Sequence, residues 1–275
     1  MKHALPTREL ALAAYPQREE DAHAAFAHAL RRLRARLAGL GAARLPPALA
    51  RTLQAECAAL ARHDAPTLGA RAAQLRAPLR QAGLGGPQAA QALALVATLA
   101  RHTLGHTPYP TQLGASWAML QGRFVERATG EGKTLATGMA AAVAALAGVP
   151  VQVLTANDYL VQRDRDALAP LHEALGLQSA CVLPATPRPE RARAYRGDVV
   201  YLSARELAFD YLKDHLASRG ERDARVLAAR ALQGAEGRLE GDREGDREGP
   251  APKAGEPVLP GLFVTLVDEA DSVLL

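Results

Sequence analysis

The chain has 275 residues, of which 48% are hydrophobic and 23% charged, enough for one large or two small globular domains. A formal charge of +4 and a pI near 9.3 permit contact with anionic lipid or nucleic acid and require neither, while Cys57 and Cys181 are too few and too far apart for a disulfide framework or a zinc site. There is no signal-peptide core and no uncharged span of about 18 residues, so a cytoplasmic protein is expected, held at a surface only through a partner.

From Gln17 to Gly41, Leu30, Leu33, Leu37 and Leu40 recur at three-four spacing with Arg31, Arg32, Arg34 and Arg36 between them. This is the pattern of an amphipathic helix with a cationic outer face. A solvated face is the simplest reading of those arginines, and a membrane-surface contact the rarer one. Pro46-Pro47 suits a helix start, so Leu49 to Arg62 reads as a helix. Thr67 to Gln81 and Pro87 to Leu104 read as two more, split by the turn Gly83-Leu84-Gly85-Gly86. No strand pattern precedes residue 105. Residues 1–105 are therefore expected to be a helical N-terminal region, and 106–275 the nucleotide-binding domain.

Gly105, Pro108 and Pro110 end the helices, and a short helical stretch follows to Leu120, carrying the only tryptophan, Trp117. Within it Gln112 stands 21 residues before Lys133. A side-chain amide pairs one donor with one acceptor, which matches the adenine edge. His102 and His106 have no carboxylate or cysteine at ligand spacing and read as cap or surface residues.

Thr129-Gly130-Glu131-Gly132-Lys133-Thr134 lies between an extended-looking segment, Arg123 to Arg127, and an Ala-rich helical run, Leu135 to Leu146. Glycines let backbone N–H groups close around phosphate oxygens, the helix presents its positive end, Lys133 adds a point charge, and the Thr134 hydroxyl suits Mg²⁺. The strict phosphate-loop pattern has glycine where this chain has Arg127, so the loop alone is an incomplete match.

Beyond the loop, strand and helix patterns alternate. Val149 to Thr155, Gln178 to Leu183 and Asp198 to Leu202 read as strands. Asn157 to Leu175, opened by Asn157-Asp158 as a cap, Pro189 to Tyr195, and Ser203 to Leu216 read as helices. That order implies an α/β fold with a parallel sheet covered on both faces and ligands at the C-terminal strand ends. Residues 218–257 break the rhythm with a tandem Gly-Asp-Arg-Glu and three prolines, and are expected to form a flexible insertion. The chain then returns to an apolar run, Leu262 to Val267, that ends in Asp268-Glu269-Ala270-Asp271. Taken alone this is also the pattern of a solvated acidic turn. After a phosphate loop it is what an NTPase needs: Asp268 for the Mg²⁺ shell and Glu269 for the attacking water.

These motifs together resemble the first nucleotide-binding domain of the SecA preprotein translocase motor. The resemblance rests on Pro108-Tyr109 with Gln112, on Glu126 followed by Thr129 to Leu135, and on Asn157-Asp158-Tyr159-Leu160 with Gln162-Arg163-Asp164. It continues through Phe209-Asp210-Tyr211-Leu212 and Val267-Asp268-Glu269. It implies a RecA-like P-loop NTPase domain that binds ATP and Mg²⁺. Gln112 would contact the base, Thr129, Gly130, Glu131, Gly132, Lys133 and Thr134 the phosphates, Thr134 and Asp268 the Mg²⁺, with Glu269 the catalytic base beside Lys133.

The implied partners are preproteins, a membrane translocon at the cytoplasmic face of the inner membrane, and a C-terminal motor partner chain. A second RecA-like domain with its arginine fingers is expected to lie outside this sequence, leaving the isolated chain a weak ATPase. Arg127-Ala128 depart from the family's usual residues before the loop, as do Pro110-Thr111 and Gly114 to Trp117, which suggests a divergent paralogue. An RNA or DNA helicase domain of the same architecture and a non-catalytic nucleotide-binding interaction protein are the rival readings. Nucleic acid ranks below polypeptide because aromatic and basic residues are not interleaved as a stacking platform.

Overall fold

The computed structural model describes residues 47–128, 130–218, 257–259 and 264–270. The expected arginine-rich helix from Gln17 and nearly all of the 218–257 insertion lie outside them, as does Thr129.

Among the described residues three helices come first: α1 (Pro47–Leu60), α2 (Ala65–Ala82) and α3 (Pro87–Leu104). Each starts where the sequence supplies a start. Asp64 caps α2 by accepting from the Thr67 N–H at 3.1 Å, and α3 opens on Pro87 and closes on Gly105 in the left-handed region, φ 70°. α3 is apolar nearly all round, and Ala89, Ala90 and every residue from Ala92 to Ala100 are buried. Such a helix must be enclosed on all sides. It is, by α1 and α2 on one side and on the other by α5 (Lys133–Leu146) and α6 (Asp158–Ala174). The helical region thus shares one core with the α/β region, running from Leu53 through Leu93 and Val143 to Val199 and Tyr201.

Between α3 and α5 lies α4 (Pro110–Leu120). Then follow β1 (Val151–Thr155), α6, β2 (Ser179–Val182), α7 (Arg188–Tyr195), β3 (Val199–Ser203), α8 (Ala204–Ser218) and β4 (Val264–Val267). The four strands are parallel in the order β2-β3-β1-β4. β1 and β3 are buried along their whole length, as parallel strands covered on both faces must be. Alternation divides their side chains: Val151, Val153, Val199 and Tyr201 join the large core, while Leu154, Val200 and Leu202 join a second one with Tyr195, Val258 and Leu259. The fold is the expected α/β RecA-like one.

The chain leaves β1 toward β3 and β2, and β4 is added on the opposite side of β1. Such a reversal opens a crevice at the carboxyl ends of the strands, where ligands of open α/β sheets bind. Thr155, Ser203 and Val267 all end strands on that edge. The segment Arg123 to Arg127 forms no ladder, and Phe124 is 80% exposed. With Arg123, Glu126 and Arg127 around only two apolar residues, it has little to bury against an edge strand.

Candidate functional site at the carboxyl edge of the sheet

The loop before α5 is shaped by glycine and held by glutamine. Gly130 and Gly132 both have positive φ, 84° and 72°, and Gly132 is the N-cap of α5 in the left-handed region. A Cβ on Gly132 would collide with the Gln112 Nε2. That amide reaches across from α4: its nitrogen donates to the Glu131 carbonyl at 3.1 Å, and its oxygen accepts from the Tyr109 N–H at 2.8 Å. Gln112 is 6% exposed and, in addition to any contact with a base, fixes the loop against the start of its own helix. Each amide atom is used once, so one hydrogen and one lone pair remain. Ser116, one turn further, sits between the carbonyls of Gln112 (3.0 Å) and Ala136 (2.8 Å) and pins α4 to α5.

Arg127, the residue that spoils the strict loop pattern, folds back onto the loop. Its Nη2 donates to the Glu131 carbonyl at 2.7 Å and its Nε lies 3.4 Å from the Glu131 carboxylate. The remaining nitrogen, Nη1, is buried and has no partner among the described residues. A cation therefore stands where the pattern has glycine, with one donor nitrogen unused.

Lys133 and Thr134 are the first two residues of α5, in the turn whose N–H groups have no intrahelical acceptor. The Thr134 hydroxyl lies 3.5 Å from the Asp164 carboxylate of α6. Asp164 is 3% exposed and bound by Arg163 at 2.7 and 2.9 Å. Burial raises its pKa above the usual carboxylate value; Arg163 opposes that shift and the negative charge of Asp268 adds to it. Asp268 itself is placed by its N–H, which donates to the Leu154 carbonyl at 2.8 Å. Glu269 follows at φ 52°, with its N–H on the Asp268 carboxylate at 3.0 Å, and its charge reaches Arg163.

The structure thus gathers Gln112, Gly130, Glu131, Gly132, Lys133 and Thr134 on one side, and Asp268 and Glu269 at the end of β4 on the other. Asp164 and Arg163 stand between them. Those two were visible in the sequence only as part of a motif. Nothing in their local spacing says that α6 turns them toward Thr134, because the contact spans 30 residues of chain.

The chemistry of the donors fits Mg²⁺. This ion keeps several waters and takes one or two carboxylates together with substrate phosphates, not an all-protein cage. Thr134, Asp164 and Asp268 offer a hydroxyl and two carboxylates, and no cluster of three or more His, Cys, Asp or Glu side chains is found among the described residues. Two carboxylates close enough to raise the pKa of one are relieved by a cation between them.

A parallel sheet with a glycine-shaped loop at a helix start and acidic residues at a neighbouring strand end defines a RecA-like α/β domain. The SecA DEAD-like domain model matches residues 43–275, and the chain belongs to that family. Relatives include protein translocase subunit SecA 2 of Bordetella avium, 42% identical over 223 residues, covering 81% of this chain and 32% of that protein. Protein translocase subunit SecA 3 of Magnetococcus marinus is 37% identical over 202 residues, covering 74% of this chain and 28% of that protein. SecA 3 of Mycolicibacterium vanbaalenii is 46% identical over 128 residues, 46% of this chain and 16% of that protein. The chain spans about a third or less of the length of these relatives. No helix among the described residues is long and apolar enough to cross a membrane.

Proposed function

We propose that this chain is the ATP-binding part of a SecA-like protein translocation motor. The observation that carries this reading is the loop held by Gln112, with Lys133 and Thr134 opening α5 opposite Asp164 and Asp268. Gly130 to Thr134 would cradle the β- and γ-phosphates with main-chain N–H groups, and Lys133 would neutralise their charge. The free half of the Gln112 amide would read the base. Thr134 and Asp268, with Asp164 behind the hydroxyl, would hold Mg²⁺. When bound, that ion supplies charge neutralisation for the transferring phosphoryl group. Glu269, on the strained residue after the strand, would orient and deprotonate the attacking water.

Preproteins, a membrane translocon and a second motor half are the partners this reading requires, and a cytoplasmic position against the inner membrane follows from them. Helicase action is the reading it displaces. Titration of the chain with a fluorescent ATP analogue, with and without Mg²⁺, tests the core of it. Binding strengthened by Mg²⁺ and lost in Lys133→Ala is expected. Equal affinity in parent and Lys133→Ala would remove the nucleotide assignment, and ATPase stimulation by RNA with none by an unfolded preprotein would turn the reading to a helicase.

A further inference from the structure

On the same edge of the sheet, one strand over from β4, a separate cleft lies where the chain leaves the paired ends of β1 and β3. It has a volume of about 390 Å³ and is lined by Thr155, Asn157, Asp158, Ser203 and Arg205 together with Ala156 and Ala204. That volume lies within the range of about 300–1,000 Å³ common for small-ligand sites. None of these residues belongs to the nucleotide site.

The donors and acceptors of the cleft are incompletely used. Ser203 is 4% exposed, yet its hydroxyl has no hydrogen-bond partner among the described residues. Asp158 receives the Arg205 guanidinium on Oδ2 at 3.0 Å, while its Oδ1 is buried and unpaired. Thr155 and Asn157, by contrast, are committed: the Thr155 hydroxyl to the Asn157 carbonyl at 3.3 Å, and the Asn157 Oδ1 to the Leu160 N–H at 2.9 Å. α8 begins directly after Ser203, so its first-turn N–H groups also face this end of the sheet without intrahelical acceptors. Buried polar atoms left unpaired cost about 1–3 kcal/mol each, so an orphan hydroxyl and an orphan carboxylate oxygen in one cleft call for a ligand.

The two orphans also specify its chemistry. Two helix N-termini and Arg205 would suit an oxyanion, but an oxyanion would set its charge against Asp158 and leave Oδ1 unpaired. A group that donates on one side and accepts on the other satisfies both. A peptide unit does so, its N–H to Asp158 Oδ1 and its carbonyl to the Ser203 hydroxyl and the α8 amides. Tyr159, 72% exposed on the residue after Asp158, offers an apolar surface for an adjoining side chain. We propose that this cleft binds the backbone of an extended polypeptide segment, placing a substrate contact on the same sheet edge as the nucleotide. The choice of a polypeptide over another amide rests on the translocation reading; the donor and acceptor pattern does not.

The test is fluorescence anisotropy of the whole chain with a fluorescein-labelled unstructured peptide of Gly, Ser, Ala and Leu. The parent, Ser203→Ala and Asp158→Ala are compared, with a fluorescent ATP analogue titrated in parallel. Because the Ser203 hydroxyl is unpaired in the free chain, Ser203→Ala should fold with unchanged or higher stability and weaken peptide binding about five-fold, the worth of one hydrogen bond. Asp158→Ala should weaken it similarly, and neither should alter ATP-analogue affinity. Equal peptide affinity in all three chains, or no peptide binding by a chain that holds the ATP analogue, overturns the proposal. So do inorganic phosphate shifts at the amides of residues 203–206 with no response to peptide. A chain that holds peptide through Ser203 but no ATP analogue upholds the cleft and removes the nucleotide reading instead.

Discussion

The side-chain amide of Gln112 donates to the main-chain carbonyl of Glu131 at 3.1 Å, while a Cβ on the next residue, Gly132, would strike that same amide nitrogen. The helix α4 and the loop before α5 are thus tied together, and Gly132 is required twice, for its left-handed backbone and for its missing side chain. Gly132→Ala should weaken binding of a fluorescent ATP analogue at least about ten-fold, since a left-handed non-glycine residue costs roughly 1–2 kcal/mol before the collision is counted. Adding Gln112→Ala to it removes the collision and leaves the backbone cost. The double variant loses the proposed base contact but is spared the collision, so its loss should be smaller than the two single losses combined, whereas losses that simply add would show that the two residues act independently.

Arg127 supports the loop from the opposite side, with its Nη2 2.7 Å from the same Glu131 carbonyl and its Nη1 buried and unused. A charge-assisted hydrogen bond contributes about 1.5–3 kcal/mol. Arg127→Ala should accordingly raise the dissociation constant for the ATP analogue about ten-fold. Glu131→Gln leaves the carbonyl contact in place and should change it by less than about three-fold. Titrations of the two variants under one buffer separate the main-chain contact from the side-chain pair.

The alternation of strand and helix was readable because each element carries its own punctuation. Asn157 caps α6 as its sequence position suggests, Pro87 opens α3, and the strands fall within a few residues of the apolar runs that announced them. What stayed hidden depends on contacts between elements. Pro189 to Tyr195 reads as a short basic helix, and nothing in its sequence says that Arg191 is 6% exposed, its charge met by α8, a separate element. Asp164 and Thr134 meet only once α5 and α6 are packed. Arg123 to Arg127 looks extended, but an extended segment becomes a strand only when a neighbour offers a ladder, and none among the described residues does. Of the candidate site, the loop and the acidic strand end could be read directly; the residues that hold them in place could not.

His172 is fully buried in α6 beside Tyr201, with ring centroids 6.1 Å apart and neither ring nitrogen hydrogen-bonded among the described residues. Burial, with a smaller contribution from Arg165, lowers its pKa from 6.5 to about 4. The unfolded chain then binds a proton between about pH 6.5 and 4 that the folded chain refuses, so stability falls as pH drops through that window and the loss is complete below it. The size is about 3 kcal/mol from the difference between those two values. His172→Leu removes the group and its two unpaired nitrogens. Urea unfolding at pH 7 and pH 4 should show the variant as stable as the parent at pH 7 and less acid-sensitive by about that amount. An identical acid limb in both chains would rule out His172 as the source.

Arg191 is the most heavily committed side chain in the described structure. Its Nη1 contacts both oxygens of Asp210 at 3.0 Å, and its Nη2 reaches Glu206 at 2.7 Å and the Leu183 carbonyl at 2.7 Å. Its Nε donates to the Thr186 carbonyl at 2.8 Å. Tyr195 adds a hydroxyl to Asp210 at 2.8 Å. One guanidinium therefore binds the β2–α7 connection to α8, the helix whose first turn borders the peptide cleft. Removing it would strand two buried carboxylates, and breaking a buried pair this way costs about 3–5 kcal/mol. Arg191→Met should lose that much in urea unfolding. Replacing all three charges, with Glu206→Gln and Asp210→Asn added, should recover part of the loss, because no unpaired charge then remains inside. If the triple variant were as unstable as Arg191→Met, the loss would come from the hydrogen bonds to Leu183 and Thr186 and from packing, and the carboxylates would be bystanders.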